Sequence, residues 1–258
     1  MYQDQQKAFS HKSITEVKAD LAKVKASNLL VRRIFLADGD VMTLSSRRLE
    51  EILIAINEAF PDIQRISAYC LPRNLRNKTV GELKRLQELG LQLLYVGCES
   101  GDDQILEFVN KGETYQSSLD ALCKISASGI KSSVMILNGL GGQKYTEQHA
   151  INSAKLMNET QPNYLSTLVV SFPLGMDRYK KNFPDYLPLE QNHLFKEIHQ
   201  FLTQLELKKT VFRSDHASNY LVLKGILNRD KDKLIQQVNL VIENPSKIQL
   251  RQEHQRGL

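Results

Sequence analysis

Two hydrophobic periods alternate along this chain. Short runs rich in branched and aromatic residues have the look of strands, and longer stretches with apolar residues every three or four positions have the look of helices. Ser13-Ile-Thr-Glu16 has the form of a capping box, and Ile14, Val17, Leu21 and Val24 follow at helical spacing. Val31–Leu36 predicts a first strand. Ser45 or Ser46 then caps a helix with Leu49, Ile52, Leu53 and Ile56 on one face. Gln64–Tyr69 predicts a second strand. Thr79-Val-Gly-Glu82 is another capping box, backed by Leu83, Leu86 and Leu89 and stopped by Gly90. Leu91–Val96 predicts a third strand, Asp102–Asn110 and Tyr115–Ser128 two helices, and Ile130–Leu137 a fourth strand. Thr146–Thr160 reads as a helix and Tyr164–Phe172 as a fifth strand.

Strands alternating with helices at this spacing imply βαβ units and a parallel sheet. Ligands of such sheets gather at the C-terminal strand ends. The loops to examine are therefore Ala37–Asp40, Cys70–Asn74, Gly97–Gly101, Asn138–Gly142 and Pro173–Asp177. Beyond Asp177 the alternation breaks. Leu187–Leu207 reads as helix, Thr210–Lys224 as mixed, Asp230–Glu243 as helix. The chain thus divides into a core over 1–177, an extension over 178–243 packed on it, and a polar tail over 244–258 expected to fray.

Composition narrows the function. Of 258 residues, 41% are apolar, enough for a sizeable core. The apolar runs are too short to span a bilayer, and the first twenty residues lack a signal-peptide pattern, so a cytoplasmic protein without membrane contact is expected. The net charge of +5 is spread over scattered cations with no Trp, so a solvated surface is favoured over a nucleic-acid partner. Cys70, Cys98 and Cys123 are far apart, with no Cys-x-x-Cys or Cys/His pattern. They read as small apolar residues, and no metal site is expected from this chain.

The strand ends carry the candidate chemistry. Asp38-Gly39-Asp40 offers carboxylates beside a permissive backbone, suited to an ammonium, although the same residues also make a capped turn. Glu99 leaves its strand directly into a glycine-containing loop, where a carboxylate can accept two hydroxyl hydrogen bonds, with Ser100 beside it. Asn138-Gly139-Leu140-Gly141-Gly142 bares its backbone for a flat ring or phosphate. It lacks the G-x-G-x-x-G spacing, and no Gly-Lys-Ser/Thr occurs. On a strand His216 and Ser218 would share a face, but no nucleophile elbow accompanies them, so a hydrogen-bonded structural histidine is expected.

Together these strand ends resemble the radical S-adenosylmethionine (radical SAM) family. The resemblance is carried by Phe35-Leu-Ala-Asp-Gly-Asp40, Leu94-Tyr-Val-Gly-Cys-Glu-Ser-Gly-Asp-Asp103, Asn110-Lys-Gly112 and Ile136-Leu-Asn-Gly-Leu-Gly-Gly142. His216-Ala-Ser-Asn-Tyr-Leu221 with Lys224-Gly225 is similar to the coproporphyrinogen-oxidase-like bacterial branch. The resemblance implies an α/β fold: a partial (βα)6 TIM-like barrel, here lacking its first strand, with a mixed, mainly helical C-terminal extension. It implies SAM as cofactor. Asp38, Gly39 and Asp40 then face the methionine amino group, Glu99 the ribose with Ser100 next to it in the cofactor site, Lys111 the carboxylate, and Asn138, Gly139, Gly141 and Gly142 the adenosine.

Family members hold a [4Fe–4S] cluster with Cys-x-x-x-Cys-x-x-Cys after the first strand, and this sequence has no such motif. In the resembling branch Met-Tyr closely follows the last cluster cysteine, which is how MYQDQQKAF begins. The expectation is a truncated radical SAM enzyme: the intact form would use the cluster, an electron donor and a small-molecule or unknown substrate. The 258 residues alone would supply no catalytic residue and be inactive. The alternative is a degenerate, non-catalytic SAM- or nucleotide-binding module or scaffold.

Overall fold

The computed structural model describes residues 11–37, 39–245 and 248–256. Asp38 and the opening MYQDQQKAF, both singled out above, lie outside the described residues.

Seven strands lie side by side in chain order: β1 (Arg33–Leu36), β2 (Arg65–Cys70), β3 (Leu91–Glu99), β4 (Lys131–Asn138), β5 (Tyr164–Val169), β6 (Thr210–Ser214) and β7 (Leu223–Leu227). β1 to β6 pair in parallel, and β7 returns antiparallel to β6. β1 and β7 are not paired with each other, so the sheet is open. The helices α1 (Ile14–Ala26), α2 (Ser46–Ala59), α3 (Val80–Glu88), α4 (Asp103–Val109), α5 (Tyr115–Ser128) and α6 (Gly142–Thr160) fall between or beside the strands. They are followed by α7 (Asp177–Asn182), α8 (Gln191–Gln204) and α9 (Lys231–Glu243). No helix of the described residues is long and apolar enough to cross a membrane.

The helix starts are set as the sequence dictates. Ser13 and Thr79 both form complete capping boxes with Glu16 and Glu82, and Ser45 caps α2. Gly129 closes α5 at φ +82°, a conformation that favours glycine. Side-chain alternation then sorts the sheet. Ile34, Ile66, Ala68, Leu94, Val96, Val134, Ile136, Leu165 and Phe212 point into one core with the helices. The alternate residues Phe35, Tyr69, Tyr95, Met135 and Arg213 face the other side and stay half-buried or exposed. One face of the sheet is thus plated with helices, while on the other Ser67 and Leu93 are buried and the aromatic and basic positions around them stay half-buried or exposed among the described residues.

The structure departs from expectation mostly beyond Asp177. Thr210–Lys224, expected to be mixed and part of a mainly helical extension, holds β6, which continues the parallel sheet from β5 with Tyr164 opposite Val211. α8 starts at Gln191 rather than Leu187, with Glu190 in an extended conformation as its N-cap. β5 ends at Val169 rather than Phe172. α6 begins at Gly142 and bends at Tyr145, whose φ of −121° is non-helical. The predicted start at Thr146 lies just past that bend. The polar tail is also anchored where described. Arg251 donates to the carbonyls of Asp215, His216 and Asn219, and Arg256 donates to Ser218 while its guanidinium lies 3.8 Å from the Tyr220 ring centroid. Guanidinium forks satisfy loop carbonyls that no strand would reach.

Candidate functional site

The loop after β1 opens the site. Gly39, at φ +121°, is exposed, and nothing lies within 4 Å of where a Cβ would stand. Asp40 is more enclosed. Its Oδ1 accepts the Met42 N–H at 2.9 Å, capping the short helical turn Val41–Thr43. Its Oδ2 accepts the Leu71 N–H and the Asn74 Nδ2 at 2.6 Å. The carboxylate therefore ties the β1 loop to the β2 loop. Burial raises its pKa and outweighs the donors that favour ionisation.

β3 ends in an irregularity that aims Glu99. The register slips between Gly97 and Glu99, Glu99 sits at φ +65°, and the Ser100 N–H turns back to the Cys98 carbonyl at 2.7 Å. A glutamate rarely adopts this backbone, which costs about 1–3 kcal/mol. Its carboxylate folds over Gly97, where a Cβ would stand 3.2 Å from Oε1. Lys111 Nζ meets that same oxygen at 2.6 Å.

Lys111 is held in turn. It follows Asn110, the left-handed cap of α4. Its carbonyl accepts from the Arg73 guanidinium, while the Arg73 N–H reaches Glu113 Oε1 at 3.2 Å. Ser117 Oγ donates to Glu113 Oε2 at 2.9 Å. Burial raises the pKa of Glu113. The loops after β1, β2 and β3 and the α4–α5 connection thus form one polar ring at the strand ends.

Ser100 departs from the role expected of it. It is fully buried, its hydroxyl 2.8 Å from His149 Nδ1 and 3.0 Å from the Asp102 N–H. Its partners, His149 of α6 and the Asp102 N–H before α4, are not members of the ring. His149 Nε2 lies 2.9 Å from the Leu137 carbonyl, so one histidine of α6 joins the ends of β3 and β4. Gly101 abuts the same helix: a Cβ there would stand 2.3 Å from the Asn152 carbonyl oxygen.

The glycine-rich loop after β4 is likewise engaged internally. Asn138 Nδ2 donates to the Leu194 carbonyl at 3.0 Å, and the Gly139 N–H donates to Glu197 at 2.6 Å. Tyr186 and Tyr179 donate their hydroxyls to the Gly139 and Leu140 carbonyls. A Cβ at Gly139 would strike Leu194, one at Gly141 the Tyr145 carbonyl, and one at Gly142 Tyr186 and the Leu187 carbonyl. The bare backbone expected to accept a flat ring is approached by the chain's own segment 179–197 at Gly139 and Gly142 and by Tyr145 and Ile105 at Gly141.

Several of these residues escaped sequence reasoning. Arg73 and Asn74 fall inside a loop it flagged. Glu113 carries no distinguishing signal. Glu197 carries one: it interrupts the apolar face of α8 between Leu194 and Ile198 and is buried there, its pKa raised by desolvation. His216 behaves as expected, its Nδ1 2.9 Å from Ser218 Oγ.

Two of the thiols lie on adjacent strands and the third on a helix. Cys70 and Cys98 are buried on the helix-facing side of β2 and β3, and Cys123 is exposed on α5. Burial raises both buried thiols, Cys98 to about 12. Among the described residues no three His, Cys, Asp or Glu side chains converge on a metal position.

Comparison with known proteins agrees with this layout. Residues 2–157 match the family model described as the radical SAM superfamily. The heme chaperone HemW of Bacillus subtilis (strain 168) is 23% identical over 170 residues, 65% of this chain and 45% of that protein. Coproporphyrinogen III oxidase (HemN) from Escherichia coli superposes with a TM-score of 0.57 at 16% identity, over 76% of this chain and 48% of its own. The archaeal Methanocaldococcus infernus Elp3 gives 0.53 at 14% identity, over 90% and 59%. The chain spans roughly half the length of these proteins.

Proposed function

The chain belongs to the radical SAM superfamily, and on that premise we propose that its strand-end ring binds the methionine and ribose portions of S-adenosylmethionine within a radical-generating enzyme. The observation that carries this reading is the Glu99–Lys111 pair. Glu99 is held at a costly backbone angle, one carboxylate oxygen on Lys111 and the other without a hydrogen bond among the described residues. A carboxylate with a free oxygen suits a vicinal diol, and the adjacent ammonium suits a carboxylate. In the loop after β1, Gly39 leaves open space where a Cβ would stand. The glycine loop contributes shape rather than free donors, since the Gly139 N–H is taken by Glu197 and the chain's own residues crowd Gly139, Gly141 and Gly142.

The [4Fe–4S] cluster used by this family is a different matter. Its ligation needs converging thiolates. Cys70 and Cys98 are buried on strands with raised pKa values, and Cys123 is exposed on α5. These three do not fit the cluster, so its ligands in a working enzyme would be other thiolates, and no chemical step is assigned here to this chain's residues. The substrate is an unassigned small molecule, and an external electron donor belongs to the same reading. The misfit of the cysteines also favours a second reading, a SAM- or nucleotide-binding module without redox chemistry.

Calorimetry with SAM tests the binding. Wild-type chain is expected to bind, and Glu99→Gln to bind about ten- to a hundredfold more weakly, the range for a hydrogen bond to a charged group. No heat at millimolar SAM sinks both readings. Iron–sulfide reconstitution separates them: a thiolate-cluster absorbance in this chain would overturn the misfit.

A further inference from the structure

The face of the sheet turned away from the helices collects a chemistry that the sequence disperses. Phe35, Tyr69 and Tyr95 come from three adjacent strands. Their ring centroids lie 4.7, 5.6 and 6.2 Å apart, yet the residues remain 40%, 51% and 36% exposed. Three touching rings this exposed, on a sheet rather than in a core, form a platform. At the start of the same strands, Arg33 stands directly opposite Arg65 on the same face. Like charges in register across a strand pair repel. Neither arginine has a carboxylate partner among the described residues, and the Nε of Arg65 is buried without a hydrogen bond. On the far side of the face, Arg213 stands opposite Lys224. Only Lys224 of those two pairs with an acid, Asp215, at 2.9 Å.

We propose that this face binds single-stranded nucleic acid, with bases stacked on Phe35, Tyr69 and Tyr95 and phosphates on Arg33 and Arg65. Aromatic rings beside unneutralised cations on an open sheet are what an unpaired strand requires: π-faces for bases and positive charge for backbone. A phosphate between Arg33 and Arg65 would remove their repulsion. The net charge of +5 attracts the same ligand at long range. The sequence shows no basic-aromatic cluster because Phe35, Tyr69 and Tyr95 are far apart along the chain; parallel pairing brings them together. The platform lies on the sheet face and the polar ring at the strand ends, so the two sites can be tested separately.

The test is fluorescence anisotropy of a labelled ten-residue oligouridylate with the full chain. Binding is expected at low salt and should weaken as salt rises. Tyr69→Ala and Tyr95→Ala should each weaken it by about five- to a hundredfold, the range for loss of one stacked base, while Tyr69→Phe should bind like wild type. Arg33→Gln should lower the salt slope by about one. Thermal melting checks that each variant is folded, and SAM calorimetry on the same variants should be unchanged. Absence of binding overturns the proposal. So does equal competition by inorganic polyphosphate, which would show charge alone, or equal affinity for a duplex, whose bases are hidden. Wild-type binding by folded Tyr69→Ala and Tyr95→Ala would overturn it too.

Discussion

Lys111 reaches Glu99 across the end of β3, its Nζ 2.6 Å from Oε1, from a residue whose own carbonyl is gripped by Arg73. The pair is partly shielded, with side chains 29% and 10% exposed. Lys111→Met leaves a shielded carboxylate unpaired and should cost about 1–3 kcal/mol in urea denaturation. Adding Glu99→Gln should recover much of that loss. Additive single and double variants would show that the ion pair carries no coupling.

Glu99→Gly separates stability from binding. Glycine adopts φ +65° freely, so relief of backbone strain offsets the lost ion pair. Stability should stay within about 1 kcal/mol of wild type, while SAM binding is lost. Retained binding would show that another group holds the ligand.

The glycines should rank by what surrounds them. Gly101→Ala drives a methyl into the backbone of α6, with 2.3 Å to the Asn152 carbonyl oxygen. It should cost more than about 3 kcal/mol, or prevent folding. Gly39→Ala meets open space and carries only the penalty of its φ of +121°, about 1 kcal/mol. Equal denaturation midpoints for the two would refute this ranking.

Glu197 predicts a pH effect whose sign follows from its raised pKa. The folded state holds the proton more tightly than the unfolded chain. Its stabilising contribution is therefore complete below the ordinary carboxylate range and lost as pH rises through the folded value. Glu197→Gln keeps acceptance from Gly139 and can donate to Thr146. It should melt higher than wild type at alkaline pH and show a flatter profile. A wild-type melting temperature that climbs through that window would contradict the assignment.

A thiol reagent should find one fast cysteine, Cys123, with Cys70 and Cys98 reacting only on unfolding. Three fast thiols in the native chain would place the buried pair elsewhere.

The parts legible in advance are those fixed by short-range chemistry. The capping boxes at Ser13 and Thr79 need residues only three apart, and the strands of the core declare themselves by period. Glu99 and Lys111 were each legible as site candidates because each matched a motif, but their ion pair across twelve residues was not. The role of Ser100 was not, since its partner His149 lies 49 residues away. The glycine loop is ambiguous in principle: a bare backbone admits a ligand ring or the chain's own Tyr186, and glycine looks the same in either case. β7 escaped because Lys224 and Gly225 dilute its apolar alternation.

Each strand of this sheet lies beside the strand made just before it, from β1 to β7. During synthesis every new βα unit therefore meets a docking edge already in place, and no strand must wait for a later one to be slotted between neighbours. The molecule can be assembled in the order in which a ribosome delivers it, with a single exposed growing edge moving outward one strand at a time.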